Sequence, residues 1–203
     1  MTNCEKDKFI VFCLPHFLDY IMNYSSFLTQ HLATSSVAAQ KTVIITKMKV
    51  LFTAFDGENN SSKLLLDRIN YKHKLCLRND FVRSARRLER ELEGNDFDLV
   101  ISFGQAPLPK DTIKIETVGR GEQNYKTNYD YSLLAEALSS NFNVKISEDA
   151  GKYLCNHLYY CGLKCIKDNN LKTKMIFIHI PMKDNISDFA NLATSIKNYI
   201  VSG

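Results

Sequence analysis

The sequence predicts an α/β protein in which helices cover both faces of a largely parallel sheet. Three observations predict it. From Met48 onward, short β-type runs alternate with stretches of helical periodicity. The 203 residues carry 45% hydrophobic and 24% charged side chains, an ordinary globular balance that needs no staple to form a core. No apolar run approaches the ~18 residues of a membrane span, and neither an internal repeat nor a heptad pattern interrupts the alternation.

Lys49–Phe55 is a compact β run that ends in the turn residues Asp56-Gly57 and Asn59-Asn60. Ser61 or Ser62 is positioned to cap a helix carrying Leu64, Leu65 and Ile69. A short strand over His73–Leu77 precedes Asp80, which caps a helix with Phe81, Ala85, Leu88 and Leu92 on one stripe. Its other side holds Arg83, Arg86, Arg87 and Arg90 among glutamates, which reads as a solvated face. Strands are expected over Phe97–Phe103, Ile113–Val118, Val144–Ser147 and Lys174–Ile180. Helices are expected over Tyr131–Leu138, over Leu154 to about Ile166, and after Asp184, where Ile186, Phe189, Leu192, Ala193, Ile196 and Ile200 recur at helical spacing.

Residues 1–47 lack this regular alternation and read as an N-terminal extension to a domain at 48–203. A helix over about 16–32 would carry Phe17, Ile21, Tyr24 and Leu28 at helical spacing, and 33–40 reads as a linker. The apolar stretch Phe9–Leu14 comes after a start of mixed charge and lacks the basic beginning and cleavage site of a secretory signal.

The formal net charge of +4 is too small and too dispersed to indicate nucleic acid, and no membrane association is expected. The six cysteines, Cys4, Cys13, Cys76, Cys155, Cys161 and Cys165, show neither a disulfide framework nor zinc-ligand spacing. They are therefore expected as free thiols in a reducing, cytoplasmic compartment.

In an open α/β sheet the ligand crevice lies outside the carboxyl ends of the strands. The residues just after strands there include Gly104-Gln105-Ala106-Pro107, the stretch from Ser147 to Asn156, and His179, with Glu116 in a short strand between them. A thiol, an imidazole and a carboxylate could thus meet at one rim. The imidazole would deprotonate the thiol, the carboxylate would orient the ring, and the helix N-terminus at Cys155 would lower the thiol pKa.

The residues around Cys155 sharpen this reading. Ile146-Ser147-Glu148-Asp149-Ala150-Gly151-Lys152-Tyr153-Leu154-Cys155-Asn156 resembles the active-cysteine motif of the pyroglutamyl peptidase I (pyrrolidone-carboxylate peptidase) family, and His157-Leu158-Tyr159-Tyr160 continues it. Phe177-Ile178-His179-Ile180-Pro181 is similar to the segment carrying the family's catalytic His, and Ile113–Gly119 to the segment carrying its Glu. Gly104-Gln105-Ala106 and Met48–Asp56 also resemble family segments, so the likeness spans about 48–200.

The resemblance implies a three-layer α/β/α sandwich with a largely parallel, mixed sheet. It implies a cytoplasmic cysteine peptidase that removes N-terminal pyroglutamyl residues from peptides, without a cofactor or metal, and usually as a homo-oligomer, a dimer or tetramer. Carried over by position, Cys155 is the nucleophile, His179 the general base and acid, and Glu116 the orienting carboxylate. Phe55 matches an aromatic that packs on the lactam ring, and Gln105 a residue of the ring-binding surface.

The sequence also departs from the family. The Pro-Phe-Gly-Gly that comes after the family's first strand is absent after Asp56, and Thr117 and Gly119 stand where Arg and Ala are usual. The stretch between Gly121 and Tyr131 is shorter than the family's substrate-side loop. Pyroglutamyl hydrolysis with a raised KM is therefore expected, with Tyr125 or Tyr129 as candidates to refill the pocket. Two other readings stay open: a thiol amidase with a reshaped pocket, and a non-catalytic peptide-binding relative.

Overall fold

The structure, a computed structural model, describes residues 48–202. The helix expected over 16–32 and the linker over 33–40 lie outside them.

Six strands form one twisted sheet in the order β2-β1-β3-β8-β4-β7. Strands β1 (Val50–Phe55), β2 (Lys74–Leu77), β3 (Leu99–Ala106) and β8 (Lys174–Pro181) are mutually parallel. Strand β4 (Thr112–Glu116) runs antiparallel to β8, and β7 (Asn143–Ser147) runs parallel to β4. The sheet is thus largely parallel but mixed, as expected. Helices α1 (Ser61–Arg68), α3 (Ser132–Ser139) and α5 (Phe189–Ser202) pack over one face. Helices α2 (Phe81–Gly94) and α4 (Leu154–Asp168) pack together over the other.

The strand period of two divides the core accordingly. Val50, Phe52, Ala54, Ile101, Phe103, Ile176 and Ile178 meet Leu65, Leu134, Leu192 and Ile196 on the α1–α3–α5 side. Leu51, Val100, Met175 and Phe177 meet Leu88, Leu92, Leu158 and Leu163 on the α2–α4 side. The same alternation turns Glu116, Lys114 and His179 away from Ile113, Ile115, Ile178 and Ile180, and so toward the α4 side of the sheet.

Three local expectations are corrected. Asn60, not Ser61 or Ser62, caps α1; its side chain accepts from Ser62 N at 3.0 Å. The last helix begins later than Asp184. Lys183–Asn185 form a single 3-10 turn, and Asp188 accepts from Asn191 N at 2.9 Å ahead of α5. Ile113–Val118 is not one strand. Thr117 breaks it by donating both its N–H and its hydroxyl to Ser147 O, at 2.7 and 3.0 Å. Beyond the break, β5 (Val118–Arg120) pairs with β6 (Asn124–Lys126) as a separate antiparallel hairpin. Asp80 caps α2 as expected, accepting from Arg83 N at 2.7 Å.

Candidate active site

Strands β4 and β8 assemble the first part of the site. Their antiparallel register sets Lys114 opposite His179 and Glu116 opposite Phe177. On the shared face His179 Nδ1 lies 2.8 Å from Glu116 Oε1, with Glu116 fully buried and His179 5% exposed. A carboxylate in this position accepts the Nδ1 proton, which leaves Nε2 as the free acceptor of the neutral ring. Lys114 Nζ approaches the same carboxylate oxygen at 3.3 Å. Among the described residues, Glu116 Oε2 has no hydrogen-bond partner.

Cys155 enters from the first turn of α4. Gly151, at φ +85°, takes the left-handed conformation that suits glycine and precedes that turn. Tyr153 stands at the cap position without capping through its side chain, so no cap side chain claims the first N–H groups of α4. The thiol rests on Gly104 of β3, which is the register partner of His179. A Cβ at Gly104 would lie 2.7 Å from Cys155 Sγ and 2.9 Å from the Phe177 ring, so only glycine lets the sulfur sit this low. Cys155, His179, Gln105, Lys114, Gly151 and Tyr153 line one cleft of about 390 Å³.

Burial pushes the Cys155 thiol up to about 12, and the Glu116 charge adds to the rise, while the backbone N–H at Cys155 opposes both. The shift runs opposite to the lowering expected at a helix terminus, because desolvation outweighs the backbone N–H hydrogen bond. The sulfur rests as a thiol and needs a base to become a nucleophile.

The β5–β6 hairpin holds α4 in place. Asn156 Nδ2 donates to Arg120 O at 2.7 Å, and Arg120 N donates to Asn156 Oδ1 at 2.8 Å. A Cβ at Gly119 would lie 2.9 Å from the backbone N and Cα of Tyr160, so the hairpin rests directly on the helix backbone. Tyr159 donates its hydroxyl to Glu116 O at 3.0 Å. Arg120 also pairs with Asp149 at 3.1 Å, in the loop that delivers Cys155. Asn156, Tyr159 and Gly119 belong to the motifs around Cys155 and Glu116, but their positioning roles depend on partners up to 43 residues away in sequence.

The remaining expected residues separate. Gln105 lines the cleft, and its Oε1 accepts from Ser61 N at 3.0 Å, joining β3 to the start of α1. Phe55 does not line the cleft; it is 3% exposed in the core beneath α2 and α4. Tyr125 is buried against Tyr160 with ring centres 5.4 Å apart, and Tyr129 shares a hydrogen bond with Tyr199, so neither refills the pocket. His157 sits edge-on to Phe81 at 5.2 Å and beside Cys161 Sγ at 3.6 Å, outside the cleft. Among the described residues, Cys76, Cys155, Cys161 and Cys165 are free thiols, and no group of three or more His, Cys, Asp or Glu could hold a metal. A larger groove of about 670 Å³ beside α2 is lined mainly by arginines and holds neither an imidazole nor a buried acid.

The chain is similar in sequence and in fold to known proteins. The family model for pyroglutamyl peptidase matches residues 131–196. The pyrrolidone-carboxylate peptidase of Thermosipho melanesiensis is 30% identical over 173 residues, covering 68% of this chain and 85% of that protein. A pyrrolidone-carboxylate peptidase 2 of Caldanaerobacter subterraneus is 32% identical over 168 residues, covering 66% of this chain and 81% of its own. Among solved structures, pyrrolidone carboxyl peptidase of Thermococcus litoralis superimposes with a TM-score of 0.63 at 19% identity, over 76% of this chain and 93% of that one. Pyroglutamyl peptidase I of Bacillus amyloliquefaciens gives 0.64 at 20% identity, over 76% and 95%.

Proposed function

The chain belongs to the pyroglutamyl peptidase family of enzymes, and on that premise we propose that it removes N-terminal pyroglutamyl residues from peptides through Cys155, His179 and Glu116. The single observation that carries this reading is the meeting of Cys155 and His179 in one cleft, with His179 held on Glu116 at 2.8 Å.

In the first step His179 Nε2 takes the proton of the Cys155 thiol as the sulfur attacks the pyroglutamyl carbonyl carbon. The C–S bond forms, and the carbonyl oxygen becomes an oxyanion facing the N–H groups at the start of α4. When the tetrahedral species collapses, the C–N bond breaks and the imidazolium gives its proton to the leaving amine. A water molecule, deprotonated by His179, then attacks the thioester. Pyroglutamate leaves and the thiol regains its proton. Glu116 keeps the ring in the right tautomer and stabilises the imidazolium in both halves. A raised resting thiol pKa fits this scheme, since the sulfur loses its proton only as it attacks.

A lactam ring has no free amine, so it needs apolar walls and few polar partners. Ala106, Pro107, Ala150 and Tyr153 offer such walls. One observation favours a second reading, a thiol amidase acting on other blocked N-termini: Phe55, Tyr125 and Tyr129 all lie outside the cleft. Hydrolysis of a pyroglutamyl fluorophore amide, beside acetyl and prolyl analogues, separates the two. Saturable release from the pyroglutamyl compound, lost by at least ~3 orders of magnitude in Cys155→Ser, is expected. Faster release from the acyclic acetyl analogue would favour the second reading, and unchanged release in Cys155→Ser would overturn both.

A further inference from the structure

Glu116 is a fully buried carboxylate with one oxygen lacking any hydrogen-bond partner among the described residues. Its other oxygen receives two groups, His179 Nδ1 at 2.8 Å and Lys114 Nζ at 3.3 Å. Burying a carboxylate with only a neutral imidazole as partner is strongly unfavourable, so a cation at this distance carries much of the compensation. Lys114 is well placed to supply it. Its side chain is 27% exposed, its register partner on β8 is His179, and it reaches Glu116 along the same strand face.

We propose that Lys114 is a positioning residue that supplies the countercharge of the Glu116 carboxylate and thereby holds His179 as the neutral ring that accepts the thiol proton. The proposal rests on the Cys155–His179–Glu116 reading of the site. Two physical effects combine. With its charge already balanced by Lys114, Glu116 draws an imidazolium less strongly, and the ammonium itself opposes a second positive charge nearby. The surroundings contain few competing charges. Cys155 faces His179 from α4 as a thiol whose pKa is pushed up to about 12. Asp149 and Tyr153 line the same cleft from the loop before α4, and Asp149 is paired with Arg120. Lys145 on β7 is the other register partner of Lys114 and is exposed to solvent.

The test is a proton titration of His179 by NMR in the full chain, with Lys114→Met, Lys114→Arg and Lys145→Met. Methionine keeps an apolar stem of similar reach and removes the charge. Lys114→Met should raise the His179 midpoint by about 1 pH unit, Lys114→Arg should return it to the wild-type value, and Lys145→Met should move it by less than half as much. The acid limb of kcat/KM should move upward by the same amount in Lys114→Met. An unchanged or lowered midpoint in Lys114→Met overturns the proposal, as does an equal shift in Lys145→Met. The NMR readout needs no substrate. Absent hydrolysis in the wild type would therefore fault the reading of the reaction, while an unshifted His179 would fault the role of Lys114.

Discussion

His179 and Glu116 are both buried, yet their replacement should damage turnover unequally. His179 carries a proton in each half of the proposed reaction, so His179→Ala should approach the loss expected in Cys155→Ser. Glu116 orients the ring, and Glu116→Gln should lower kcat by one to two orders of magnitude less. Steady-state kinetics at saturating substrate checks the ranking, and an unchanged kcat in Glu116→Gln would assign Glu116 to the strand alone. The Cys155 thiol makes a second, thermodynamic prediction. Its pKa rises from 9.0 unfolded to about 12 folded, so the folded chain keeps a proton that the unfolded chain loses. This contribution is fully present below about pH 9 and is lost as pH rises toward the folded value, with a slope approaching about 1.4 kcal/mol per pH unit. Urea unfolding of wild type and Cys155→Ser at pH 8 and pH 10.5 should show the wild type losing more stability across that interval. The three proposed residues are legible in the sequence because each sits in a segment that resembles a family motif, most closely at Cys155 and least at Glu116. Lys114 is not, because a lysine in the apolar run Ile113–Ile115 reads as a solvent-facing strand residue until its register partner is known.

Among the elements, the β5–β6 hairpin tethers the first turns of α4 next to Cys155. Asn156 makes two hydrogen bonds with the Arg120 backbone at 2.7 and 2.8 Å, and removing them leaves a donor and an acceptor unsatisfied beneath the hairpin. Asn156→Ala should therefore reduce stability by about 2–3 kcal/mol, measured by denaturant unfolding. It should also lower kcat, because the first turn of α4 would lose its tether next to Cys155. A variant with wild-type stability would show the bonds to be replaceable by water. This hairpin is hidden in the sequence for a physical reason. Strands of three residues leave no period to detect, and the break at Thr117 arises from bonds to Ser147, 30 residues away. Helix ends are only partly legible. Asp80 caps α2 beside an equally suitable Asn79, while Asn60 competes with Ser61 and Ser62, and Asp188 with Asp184.

At the level of the whole molecule, alternating strands and helices reveal the layered architecture but not the direction of every strand. The reversal of β4 and β7 arises from which edges pair, and no local pattern records it. That reversal brings Glu116 to His179 from the opposite direction and obliges 148–153 to carry the chain across to Gly104. The described residues from Met48 onward contain two cores, one on each face of the sheet. We propose that this part folds alone. A chain beginning at Met48 should unfold cooperatively with a midpoint close to that of the full chain, and insolubility of the shorter chain alone would show that residues 1–47 cover apolar surface.

The proposed reaction requires the Cys155 sulfur to take the pyroglutamyl group from its substrate. Acid quenching within the first turnover, with intact mass measurement and peptide mapping of the full chain, reads this transfer at the atom concerned. The expected result is a transient adduct of one pyroglutamyl group on the peptide containing Cys155, absent in Cys155→Ser and cleared by hydrolysis at later times. Substrate turnover with no such adduct in wild type, and undiminished turnover in Cys155→Ser, would contradict the thiol mechanism.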